Sequence, residues 1–172
     1  INTSGFSQGL GYKILHKYSY SLEVFMSYKG KYHPTKREKY RGDVNNIIYR
    51  SLWERSFMKY CDDNPDVVEW GSEEIVIPYI SPIDGKRHRY FPDFYVKTSK
   101  GDKFLVEIKP KKQTKPPKIP KRKTKRFIYE THEWGRNQAK WKAAEQMCKR
   151  NGWKFLILTE DHLNLPKYKN NR

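Results

Sequence analysis

Acidic side chains are scarce in this 172-residue chain: 19 Asp and Glu stand against 36 Lys and Arg, a formal net charge of +17. Such a balance selects a polyanionic partner, nucleic acid first and an anionic membrane surface second. Long apolar runs are missing as well. No stretch approaches the ~20 apolar residues of a spanning helix, and the first residues lack the apolar run of a signal peptide. The expectation is therefore a chain that does not enter a membrane. Cysteine is nearly absent; Cys61 and Cys148 are the only two, both in helical, partly apolar patterns that fit reduced core packing. His16, His33, His88, His132 and His162 show no metal-ligand spacing among themselves or with the cysteines, so no zinc site is expected. The length is that of one domain, large enough for a sizeable core.

What is present is most informative between Lys86 and Lys109. Tyr90 to Lys97 and Lys103 to Lys109 are rich in aromatic and β-branched residues, and the polar insert Thr98-Ser99-Lys100-Gly101-Asp102 between them has hairpin-loop length. Alternation places Phe104, Val106 and Ile108 on one face of the second strand and Leu105, Glu107 and Lys109 on the other. In the first strand Asp93, Tyr95 and Lys97 share a face. With the turn centred on Lys100, Asp93 stands opposite Glu107, their Cβ atoms roughly 5 Å apart. Facing like charges are unfavourable, and a divalent cation between them is the usual remedy; oxygen ligands at that reach suit Mg²⁺ or Mn²⁺. The competing reading is a solvated hairpin carrying a Glu-Lys pair.

Pro92-Asp93, followed by Glu107-Ile108-Lys109, resembles the PD-(D/E)xK nuclease core. In that superfamily the Asp and Glu bind the metal, and the Lys positions or deprotonates the attacking water. The resemblance implies Asp93 and Glu107 as metal ligands and Lys109 as the water-activating residue. Those residue types suit phosphodiester hydrolysis, which needs a hydroxide at neutral pH and a counter-charge for the crowded phosphorane.

Upstream, residues 5–41 are Tyr-, Lys- and Gly-rich. Ser21 to Tyr28 is the one part apolar enough to dock on a core. The rest reads either as an arm that stacks on bases and pairs with phosphates or as a basic, partly ordered extension. A helix is expected from an N-cap at Asp43 to the stop at Asn64-Pro65. On its wheel Glu54 lies among Ile47, Phe57, Met58 and Cys61. Two readings remain open for it: an i, i+4 ion pair with Arg50, or a third acid reaching the hairpin carboxylates, as the first-helix Glu does in many members of the superfamily. Glu74 to Ile80 reads as the first strand, with Pro78 marking an edge or bulge, and Glu73 and Glu74 as solvated.

From Pro110 to Arg126 the chain has four prolines, nine Lys or Arg and no acid. A segment of that composition cannot bury a core and is not expected to be helical. It reads as an extended arm tracking a DNA backbone through Lys111, Lys112, Lys115, Lys118, Lys121, Arg122, Lys123, Lys125 and Arg126, or as a solvated linker. Glu133 to Arg150 reads as a helix with Trp134, Trp141, Ala144 and Cys148 in its core contacts and Gly152 as its stop; Gln138 and Lys140 could face a substrate or simply solvent. Trp153 to Thr159 reads as a strand buried on both faces, central or parallel. A short last turn follows, then a basic tail.

The fold class is thus α/β: a restriction-endonuclease-like PD-(D/E)xK core in αβββαβ order, a mixed sheet flanked by helices. The expected division is a basic N-terminal extension over residues 1–42, a nuclease domain over 43–165 that includes the basic segment 110–126, and a tail over 166–172. Taken together, KYRGDVNNIIYRSLWERSF, EWGSEEIVIPY, RYFPDF, LVEIKPKKQ and WKAAEQMCKRNGWKFLILTED resemble the head-completion nucleases of T-even-type bacteriophages. The layout is also similar to the endonuclease domain of TnsA-type transposition proteins. The resemblance implies a Mg²⁺-dependent DNA endonuclease, with Mn²⁺ able to substitute, and Glu54 as the helix acid beside Asp93, Glu107 and Lys109. It further implies double-stranded DNA and phage head or neck proteins as partners, no membrane, and a place in the host cytoplasm during assembly or in the virion. The alternative is a virion structural DNA-binding protein whose cleavage is incidental.

Overall fold

The computed structural model describes residues 29–163; the expected docking stretch 21–28 and the tail beyond Leu163 lie outside them. Its elements in chain order are β1 (Gly30–Tyr32), β2 (Ile47–Tyr49), α1 (Leu52–Asp63), β3 (Val67–Ser72), β4 (Ile77–Ile80), β5 (Arg87–Tyr90), β6 (Phe94–Thr98), β7 (Lys103–Ile108), α2 (Lys125–Asn151), β8 (Lys154–Leu158) and α3 (Glu160–Leu163). Four strands form the main sheet in the order β3-β6-β7-β8, antiparallel except for the parallel β7–β8 pair. With α1 before β3 and α2 before β8, the order αβββαβ is that of the restriction-endonuclease-like fold, interrupted by the separate β4–β5 ribbon.

The hairpin of β6 and β7 has the register its turn dictates. Phe94 pairs with Val106, Tyr95 with Leu105, Val96 with Phe104 and Lys97 with Lys103. Alternation then divides the side chains between two cores. Phe94, Val96, Phe104, Val106 and Ile108 join Trp53, Phe57, Met58 and Cys61 of α1, whereas Tyr95 and Leu105 join Ala144 and Cys148 of α2. The sheet is therefore the middle layer, and its α2 face is the face to which Glu107 belongs. Cys61 and Cys148 are both buried free thiols, one in each core.

Four expectations are corrected. The first helix starts at Leu52, not after Asp43: Ile47, Ile48 and Tyr49, β-branched or aromatic, form β2 against β1 instead. Asp43 caps a turn by accepting the Asn45 N–H at 3.0 Å, and Ser51 is the helix N-cap, accepting the Glu54 N–H at 3.1 Å. The first strand of the main sheet is Val67–Ser72 rather than Glu74–Ile80. Its close approach to the preceding loop needs Gly71, where an added Cβ would lie 2.8 Å from the Arg41 carbonyl oxygen. The second helix begins eight residues before Glu133, because Thr124 caps it through the Phe127 N–H at 3.1 Å and no proline follows. Lys125 and Arg126 are thus helical, and Lys111–Thr114 forms a 3-10 turn. Gly152 ends α2 in the left-handed region at φ 66°. Finally, β8 is parallel to β7 but lies at the sheet edge, partly exposed, since among the described residues no strand pairs beyond it.

Candidate active site

Asp93 immediately precedes β6 and Glu107 is next to last in β7, so the register that pairs Phe94 with Val106 sets these carboxylates opposite each other. Backbone groups fix Asp93. Its Oδ2 accepts the Ile108 N–H at 2.7 Å, and its carbonyl accepts the Glu73 N–H at 3.2 Å. Glu73 delivers that N–H from a left-handed backbone, φ 57°, and its carboxylate pairs with Arg50. It is therefore bound into the site's margin, although its sequence position reads as solvated.

Glu107 is only 3% exposed. Its Oε2 accepts the Tyr90 hydroxyl at 2.7 Å, and its Oε1 lies 3.0 Å from the Lys109 ammonium. Burial, then the charge of Glu107, pushes the Asp93 carboxyl well above the usual carboxylate range, against the pull of Lys109 and the Ile108 N–H. For Lys109, burial works against the ammonium, but Glu107 and Asp93 outweigh it and hold its pKa above the ordinary lysine value. Two carboxylates and one ammonium thus share a largely buried site, and Glu107 shifts the titration of both its neighbours.

Glu54 has a local role that neither reading of the sequence included. Its carboxylate accepts the Arg50 N–H at 2.7 Å and the Ser51 hydroxyl at 2.9 Å, while its own N–H donates to Ser51 Oγ. This is a variant of the capping box, with the Arg50 N–H in place of the N–H of the N-cap Ser51, and Ser51-Leu52-Trp53-Glu54 spells the pattern in the sequence. The guanidinium of Arg50 goes to Glu73, so the expected Arg50–Glu54 side-chain pair is absent. The charge of Glu54 still reaches the hairpin residues, adding the smallest of several contributions that raise the pKa of Asp93 and of Lys109.

Two further residues reach the site: Tyr90, which no sequence pattern places there, and Lys140, which the sequence leaves open between substrate and solvent. Tyr90 is 3% exposed and comes from β5, outside the main sheet; a buried tyrosine hydroxyl needs a partner, and here it finds Glu107. From α2, Lys140 places its ammonium 5.6 Å from the centre of the Tyr90 ring and 5.9 Å from that of Tyr79. Burial lowers its pKa, with Glu107 opposing. Gln138, two residues earlier, is exposed.

The basic segment is divided electrostatically. Lys111 is tied to Asp161 and Lys112 and Arg126 to Glu130, and the Lys111 N–H donates to Glu160 at 2.7 Å. Among the described residues, Lys115, Lys118, Lys121, Arg122, Lys123 and Lys125 enter no ion pair, and all six are exposed.

The donor set suits a hard divalent cation. Among the described residues no three His, Cys, Asp or Glu side chains form a cage for an ion, but Mg²⁺ commonly takes one or two carboxylates and completes its shell with water and substrate phosphate. Asp93 Oδ1 accepts no hydrogen bond among the described residues, and two facing carboxylates, one with a raised pKa, are what a cation would relieve.

Residues 64–160 match the family model described as TnsA-like endonuclease N terminal. Over 148 residues, 84% of this chain and 99% of the relative, the sequence is 47% identical to the head completion nuclease of Enterobacteria phage T4. The matched span holds Asp93, Glu107 and Lys109 with the whole main sheet, and the chain belongs to the TnsA-like endonuclease family.

Proposed function

We propose that this protein is a Mg²⁺-dependent DNA endonuclease that acts on packaged DNA during phage head completion and head-tail joining. The observation that carries the reading is the meeting of Asp93, Glu107 and Lys109 on one hairpin, with the Lys109 ammonium 3.0 Å from Glu107. Asp93 and Glu107 would hold the ion, with Mn²⁺ able to replace Mg²⁺. When bound, it would supply Lewis-acid polarisation of the phosphate and a lowered pKa for water. Lys109 orients the attacking water and offers its charge to the developing phosphorane. Tyr90 keeps Glu107 from swinging away, and Glu54 adds negative charge at the margin. Water attacks directly, with no covalent enzyme intermediate, leaving 5′-phosphate and 3′-hydroxyl ends.

The test is incubation of supercoiled and linear DNA with the protein in Mg²⁺, in EDTA and in EDTA followed by excess Mg²⁺. Nicking that needs the ion and returns with it supports the reading. Tight DNA binding without cleavage in any metal would point instead to a virion DNA-binding protein.

A further inference from the structure

The β4–β5 ribbon is a built element that the carboxylate site does not use in full. It pairs Ile77 with Tyr90, Pro78 with Arg89, Tyr79 with His88 and Ile80 with Arg87. Ile77, Tyr79 and Tyr90 are buried in the α2-side core, so the alternate row, Pro78, Ile80, Arg87 and Arg89, faces outward. All four of these outward residues are exposed, Ile80 by 60%. Among the described residues neither arginine enters an ion pair; the Arg89 guanidinium lies 5.8 Å from the centre of the Phe91 ring. Lys86 to Arg89 contains no acid, and the nearby Asp84 is occupied by His88 at 2.8 Å.

The ribbon is also anchored to the carboxylates. Tyr90 ends β5 and holds Glu107 at 2.7 Å, and Asp93 follows three residues later. A duplex lying with one phosphate at Asp93 and Glu107 therefore passes the root of the ribbon.

We propose that the outward face of this ribbon is a second contact surface for double-stranded DNA, with Arg87 and Arg89 gripping backbone phosphates beside the strand held at Asp93 and Glu107. The proposal rests on the nuclease reading for its placement. Strand geometry sets the two arginines about 6.6 Å apart on one face, and their planar forks match phosphate oxygens. Pro78 and Ile80, directly across the ribbon on the same face, put apolar surface beside the two arginines. A two-stranded ribbon also has the width to follow a groove.

The experiment compares Arg87→Gln/Arg89→Gln with a charge-matched control, Lys142→Gln/Lys149→Gln, whose lysines are exposed on α2. Binding of a fluorescent duplex is measured in Ca²⁺ across a salt series, after equal melting temperatures are confirmed. The arginine double variant should bind more weakly and flatten the log-log salt slope by about 1.8, at about 0.9 per lost phosphate contact, while the lysine control keeps the wild-type slope. Each single arginine variant should flatten it by about half as much, which serves if the double variant does not fold. An unchanged slope, as expected of a ribbon that docks a protein, overturns the proposal; so does equal flattening by the lysine control, which would reflect net charge alone. Wild-type protein that shows the ribbon effect but never nicks DNA in Mg²⁺ would sink the enzyme reading and leave the ribbon surface standing.

Discussion

Asp93 and Ile108 are joined by a 2.7 Å hydrogen bond from the Ile108 N–H to Asp93 Oδ2, which ties the carboxylate that opens β6 to the strand that carries Glu107. The bond fixes Asp93 in place and leaves its second oxygen beside a like charge. Burial and the facing charge of Glu107 both work against the ionised form of Asp93, so the charged carboxylate costs stability.

Asp93→Asn keeps an acceptor for Ile108 and removes the charge. In the folded protein the Asp93 pKa is raised, whereas in the unfolded chain it is about 3.9. Below about pH 4 both states are protonated and nothing is lost; as pH rises, the unfolded chain ionises first and the folded state loses stability until its own raised pKa is passed. In EDTA the wild-type melting temperature should therefore fall from pH 5 towards pH 8 more steeply than that of Asp93→Asn. At pH 8 the variant should be more stable by roughly 1–3 kcal/mol, several degrees. Calorimetric Mn²⁺ binding should be lost; binding that survives intact removes Asp93 from the metal site.

Lys109→Met separates chemistry from binding. It keeps most of the stem and removes the ammonium that pairs with Glu107 at 3.0 Å. DNA retention in a gel with Ca²⁺ should be near normal, since one contact among many is lost. Nicking with Mg²⁺ should slow by ~100-fold to 10,000-fold. Wild-type cutting by this variant would place any nuclease activity elsewhere.

Glu54 has two jobs that different substitutions divide. Glu54→Ala deletes the capping box and should cost about 1 kcal/mol of stability. Glu54→Gln keeps an oxygen for the Arg50 N–H and removes the charge that reaches Asp93 and Lys109, so its melting temperature should stay close to wild type while cleavage falls by ~100-fold. Glutamine at full activity would make Glu54 a cap and nothing more.

The basic segment should not act uniformly. Neutralising Lys121, Arg122, Lys123 and Lys125, which are exposed and outside any ion pair among the described residues, should flatten the log-log salt dependence of DNA binding by about 0.9 per lost contact. Neutralising Lys111 and Lys112 breaks pairs with Asp161 and Glu130 and should change the slope less. Equal slopes for the two sets would argue against the division.

Local chemistry and the period of two were enough for the hairpin, its register and the face that each side chain takes, with Asp93 opposite Glu107 and Lys109 on the face of Glu107. A short Gly-containing loop between two β-rich runs leaves few registers, and each carries its side chains to a fixed face. Asp43 is the N-cap expected from the sequence, although Ser51 with Glu54 three residues on also carries a capping pattern. What decided between them is that Ile47 to Tyr49 found a partner in β1, a contact between segments that no local pattern records. The same holds for β3. Val67 to Ser72 and Ile77 to Ile80 both suit a strand, and only pairing with β6 on one side and β5 on the other assigned them to different sheets. Tyr90 became a partner of Glu107, and Lys140 a neighbour of both, because the ribbon and α2 pack on the same face of the main sheet. Strand faces and turn registers follow from the order of residues along the chain. Which distant segments meet depends on how two helices and a ribbon share the burial of one sheet, and that only the tertiary structure decided.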